Sequence, residues 1–136
     1  MLMIAVALDL LAAAGLCALA AKYTFGPAPA GYHAEILRGA GHDVDETVKR
    51  LFGGINAALG GGFFALAAAL AAMTLFGVYQ DVLWAKVAVV ITGLLAGVPS
   101  AVAVRSVEQH TGVKTPWRPA VILMAVLVVA FALSLI

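Results

Sequence analysis

Four long apolar stretches, separated by short polar or proline-containing breaks, set the pattern of the chain. The first runs from Leu2 to about Ala21 and ends before Gly26-Pro27-Ala28-Pro29, where two prolines withhold backbone donors and stop a helix. The others are predicted over about 44–78, 82–108 and 116–136. Each reaches the ~20 residues that a helix needs to cross ~30 Å of hydrocarbon. The expected fold is therefore all-α, an integral membrane four-transmembrane-helix bundle. It forms a single domain over 1–136, with a polar loop at about 26–43.

Local signals place the helix ends. Asp43 and Glu46 have capping-box spacing, which starts the second helix near Val44. That helix is longer than a bilayer requires, so Lys49 and Arg50 are expected among headgroups or in water. Tyr32 to Arg38 reads as a short interfacial helix interrupted by Gly39 and Gly41. Gln80-Asp81 is the only polarity between the second and third helices and implies a tight turn. Gly112 suits a left-handed C-cap, and Pro116 and Pro119 suit the first turn of the last helix. Pro99 deprives the Leu95 carbonyl of its usual donor and predicts a kink in the third helix. Met1 to Ala21 lacks a basic leader and contains Asp9, so it reads as a retained helix rather than a signal peptide.

Composition agrees with the pattern. Hydrophobic residues make up 64% of the chain and charged residues 11%, far from the ~45–50% and ~25% of a soluble domain. A formal net charge of +1 with no basic block gives no reason to expect nucleic acid. Cys17 is the single cysteine, which excludes an intramolecular disulfide and a multi-cysteine metal site. Basic residues are strongly asymmetric. Lys22, Arg38, Lys49 and Arg50 flank the first loop and Arg105, Lys114 and Arg118 the third, whereas only Lys86 lies near the second. The positive-inside rule then puts the first and third loops in the cytoplasm and both termini outside. Tyr23, Tyr32 and Trp117 fall where an inner aromatic belt would lie, and Tyr79 and Trp84 where an outer one would.

A few positions need a specific explanation. Small residues four apart let helices approach closely in lipid, and Gly53, Ala57 and Gly61, with Gly54, Ala58 and Gly62, form two such tracks on the second helix. With Gly93, Gly97 and Ala101 on the third helix, they predict that these two helices make the tight centre of the bundle; the same tracks suit an oligomer. Asp9 lies inside the first helix, where a carboxylate costs ~2.5–3.5 kcal/mol on insertion scales. A partner such as Lys86 is expected, the alternative being a protonatable group in an ion pathway. Asn56 reads as interhelical glue or as a ligand contact. His33, Glu35, His42, Asp43, Asp45 and Glu46 have metal-ligand chemistry, but their spacing matches no ligand pattern, so no metal and no cofactor is expected. Gly60-Gly61-Gly62 lies within a helix and cannot cradle a phosphate.

Tyr32-His33-Ala34 after the proline-rich break, Gly60-Gly61-Gly62-Phe63, and Thr111-Gly112-Val113-Lys114-Thr115-Pro116-Trp117 resemble motifs of a group of uncharacterised small bacterial four-helix membrane proteins. The resemblance implies a bacterial inner-membrane, multi-pass protein and marks Tyr32 and His33 as positions of interest. It implies no activity. Three functional readings follow: a non-enzymatic accessory subunit or homo-oligomer, a small transporter or channel-like protein using Asp9 and Asn56, and a membrane enzyme or metal handler at the cytoplasmic face. The expected partners are the lipid bilayer and either a second copy or a larger membrane complex.

Overall fold

The computed structural model describes residues 1–136 and contains helices and turns only. Four helices are long and apolar enough to cross a membrane. Helix α1 spans Leu2–Phe25, one turn beyond Ala21, because nothing between Lys22 and Phe25 breaks it. It stops at Gly26, whose N–H donates to the Lys22 carbonyl at 2.9 Å. A Cβ at Gly26 would collide with that same carbonyl, so the stop requires glycine. Helix α2, Gly31–Gly39, is the short helix after the break.

Helix α3 spans Glu46–Met73. Its cap is Asp45 and not Asp43: the Asp45 carboxylate accepts from the Val48 N–H at 2.8 Å. This register puts Glu46 in the first turn, where a carboxylate suits the helix dipole and lies 3.6 Å from Arg50 and 3.9 Å from Lys49. The last turn, Thr74–Val78, widens to a π-helix, with the Tyr79 N–H donating to the Thr74 carbonyl at 2.9 Å. Asp81, at φ 62°, then reverses the chain.

Helix α4 runs Leu83–Thr111 without interruption at Pro99. Ser100 Oγ donates to the Ala96 carbonyl at 2.7 Å beside that proline. Gly112, at φ 72°, closes α4 with its N–H on the Glu108 carbonyl. Helix α5 is Trp117–Ser134. The turn before it is held by Thr115, whose N–H donates to Glu108 Oε2 at 2.8 Å and whose hydroxyl donates to the Val104 carbonyl at 2.9 Å.

Packing departs from the glycine-track expectation. The principal pairs are α1 with α3, α1 with α5 and α4 with α5, while α4 meets the π-turn and scarcely touches α3. The closest approach is at Gly60 of α3. A Cβ there would collide with Thr24 Oγ1 and lie 3.0 Å from the Ala20 carbonyl oxygen. Gly54 and Gly61 have nothing within 4 Å of the Cβ position, and Gly53 meets only the Ala28 methyl at 3.9 Å. Gly93 and Gly97 do receive side chains, but from α5: Leu127 and Met124. The physical reason is that approach depends on both surfaces. Helix α1 buries Ala5, Ala12, Ala13 and Ala20, and α1, not α4, is the principal neighbour of α3.

Candidate functional site: a polar cavity beside α2

The proline-containing helix break after α1 brings α2 back beside the end of the bundle. Between them lies a cavity of about 270 Å³, lined by Leu19, Lys22 and Tyr23 of α1, Tyr32 of α2, Asn56 of α3 and Pro116 before α5, among others. Four elements, from Leu19 to Pro116 in the sequence, thus contribute to its walls. Tyr32 and Asn56, picked out separately from the sequence, both line this cavity. Lys22 and Tyr23 were not: in the sequence Lys22 carries only loop charge and Tyr23 only an aromatic-belt signal. Their spacing from Tyr32 across a Pro-Ala-Pro break is the one clue that these side chains could converge.

Asn56 decides the character of the site. It is 4% exposed, and its Oδ1 has no hydrogen-bond partner within the chain. No hydrogen bond joins that oxygen to another helix. Leaving such a group unpaired costs ~1–3 kcal/mol. Burial, with the Tyr23 hydroxyl beside it, pushes the Tyr32 phenol up, so it stays a neutral donor. His33 stands outside the cavity with its ring 4.0 Å from that of Tyr32 and 5.0 Å from that of Phe52. Burial lowers its pKa and favours the neutral imidazole.

Four buried side-chain polar atoms lack a partner: Thr24 Oγ1, His33 Nδ1, Asn56 Oδ1 and Trp117 Nε1. All four belong to the end of the bundle that carries α2 and the α4–α5 turn. Trp117 is flanked there by Arg105 and Arg118, at 5.3 and 5.2 Å from its ring centre. At the opposite end Lys86 is matched by two acceptors. Lys86 Nζ, on a side chain 7% exposed, donates to Asp81 Oδ1 at 2.6 Å and to the Ser134 carbonyl. Lys86 therefore does not pair with Asp9, because Asp81 in the adjacent turn reaches it first. Asp9 is 4% exposed and makes no ion pair. Fourteen residues, or ~21 Å of helix, separate it from Tyr23, so it is not part of the cavity.

Beyond Leu19, which borders both, a narrow apolar crevice continues among α1, α3, α4 and α5 past Leu66, Gly97 and Leu123. His33, His42 and the loop carboxylates do not gather into a group of three that could hold a metal ion. No protein-family model, curated protein or solved structure matches the chain. Roles for these residues rest on their geometry alone.

Proposed function

We propose that the chain is a non-enzymatic multi-pass membrane protein that binds a small polar ligand or a lipid headgroup in the cavity beside α2. The observation that carries this reading is Asn56, buried with its Oδ1 unpaired, among the residues lining a cavity that also presents Lys22, Tyr23 and Tyr32. A volume of about 270 Å³ lies at the lower edge of the ~300–1,000 Å³ typical of ligand pockets, which suits a headgroup or a small metabolite. No nucleophile, base and orienting group converge there, so binding rather than turnover is the chemistry the residues support. The basic asymmetry of the loops supports a cytoplasmic position for this cavity, with both termini outside, and the motif resemblance implies a bacterial inner membrane. Asn56→Leu separates the readings. If Oδ1 serves a ligand, the variant folds with unchanged or higher stability and loses whatever small molecule or lipid the wild type retains through purification in mild detergent. Identical retained molecules in the two proteins would refute the reading.

A second reading, association with another copy or a larger membrane subunit, is favoured by the outer face of α3. Gly54, Gly61 and Gly62 have open space at their Cβ positions while Leu51, Ile55 and Leu59 beside them are exposed. Glycine lowers helix propensity by ~1 kcal/mol and gives lipid little to pack on, whereas a neighbouring helix gains close approach from it. Disulfide trapping of a Gly54→Cys variant, with Cys17 replaced, tests for a second copy on this face.

A further inference from the structure

We infer that the cavity beside α2 recognises an anion: a phosphate group with a hydroxyl or ammonium donor close by, as in a phospholipid headgroup or a free phosphoester. This deepens the binding reading above and rests on it. The lining contains one cation, Lys22, and no carboxylate. Ala30 and Gly31, at the start of α2, also belong to the wall, and this nine-residue helix begins with no side-chain cap and no acidic residue in its first turn. The first N–H groups of a helix have no intrahelical partner and carry the positive end of its dipole, so they bind anionic oxygens. Gly31 has nothing within 4 Å of its Cβ position, which leaves the backbone open to such a group.

The second requirement comes from Asn56, whose carbonyl oxygen needs a donor that the surrounding side chains do not supply. A ligand bearing both an anionic oxygen and a nearby O–H or N–H meets both needs. The anion takes the N–H groups of the first turn of α2 and the Lys22 ammonium, and the donor takes Asn56 Oδ1. The phenols of Tyr23 and Tyr32 are additional donors to the anion. Phosphatidylglycerol has this combination; phosphatidylcholine has the phosphate but neither a hydroxyl nor an N–H donor.

The test uses the full-length chain, delipidated in detergent, with phosphatidylglycerol, phosphatidylcholine and glycerol 3-phosphate as probes and native mass spectrometry as the readout. Two variants accompany it. Lys22→Met removes the cation from a site near the surface. Gly31→Asp places a carboxylate in the first turn of α2, where it favours the helix and competes with an incoming anion. Phosphatidylglycerol should bind in preference to phosphatidylcholine, and each variant should weaken it roughly tenfold or more, as expected for loss of a charge-assisted hydrogen bond. Displacement of bound phosphatidylglycerol by glycerol 3-phosphate would support the same chemistry with a soluble source; its failure to displace would support the lipid as the source. Equal binding of both lipids, unaffected by Lys22→Met and Gly31→Asp but lost in Asn56→Leu, would overturn the anion assignment while leaving the cavity as a binding site. No binding of any probe, together with identical retained molecules in wild type and Asn56→Leu, would overturn both.

Discussion

Replacing Gly60 and Gly61 in turn by leucine measures where this bundle is tight. A Cβ at Gly60 would collide with Thr24 Oγ1 and stand 3.0 Å from both the Ala20 carbonyl oxygen and the Thr24 amide nitrogen. The threonine side chain can rotate away, but the two backbone atoms move only if α1 moves. At Gly61, one residue on, nothing lies within 4 Å of the Cβ position. The helix-propensity gain on losing glycine, ~1 kcal/mol, is common to both sites. The difference between the variants therefore isolates packing. Overpacking a close contact costs ~1–3 kcal/mol, so Gly60→Leu should be less stable than Gly61→Leu by about that amount, a roughly 5- to 150-fold change in the folded-to-unfolded ratio. Reversible unfolding in mixed micelles of mild detergent and dodecyl sulfate, followed by circular dichroism, gives the comparison. A dilution series separates this effect from loss of a second copy on α3, because only the latter depends on protein concentration. Equal midpoints for the two variants would show that α1 and α3 do not meet at Gly60. A larger loss at Gly61 at every dilution would restore the α3–α4 contact that the glycine tracks predict.

The remaining expectations concern charge and orientation. Asp81→Asn keeps a residue that tolerates the positive φ of this turn but removes the partner of Lys86; since the Asp81 side chain is 71% exposed, the cost should be only ~1 kcal/mol and should shrink as salt rises. In the background of Lys86→Met, Asp81→Asn should cost nothing further, and an undiminished cost there would mean that the two side chains are not coupled. His33 has a folded-state pKa below its ordinary ~6.5 because burial disfavours the imidazolium, so the stability it contributes is present above that value and is lost as pH falls through the folded pKa. Melting temperatures from pH 7.5 to 5 should fall less steeply in His33→Phe, which keeps the ring between Tyr32 and Phe52; parallel curves would dismiss the effect. Single cysteines at His42 and Gln80, in a chain lacking Cys17, should be labelled in intact cells by an impermeant thiol reagent at position 80 only; position 42 is preferred to Gly41, whose φ of 78° would strain a cysteine. The reverse labelling pattern would overturn the orientation drawn from the basic residues.

What the sequence discloses here follows the range of the interactions. The four long apolar helices come directly from run length, and the left-handed cap at Gly112 from a glycine after the last periodic position. The cap of α3 lies two residues from its expected place because Asp43 and Asp45 are both competent caps, and only the hydrogen bond from the Val48 N–H to the Asp45 carboxylate distinguishes the registers. Helix pairing departs further from the sequence pattern. Glycine tracks identify surfaces that permit close approach but not the partner that accepts it, and α1 competes with α4 for α3.

The cavity follows the same logic one level up. Asn56 is visible in the sequence as a polar residue in an apolar run, and a run of this kind ordinarily pairs such a residue across helices. Whether it is paired depends on what faces it, and what faces it is a short helix after a proline break, positioned by contacts with residues tens of positions away. Lys22 and Tyr23 acquire their place only because α1 continues to Phe25 and carries them beyond the level of Ala21. A helix ending at Ala21 would put Lys22 in a loop and leave Asn56 with no cation nearby. The additional turn of α1 is thus what converts a lone buried amide into a site with both an acceptor and a positive charge, and the boundary of that one helix carries more of the functional reading than any single motif.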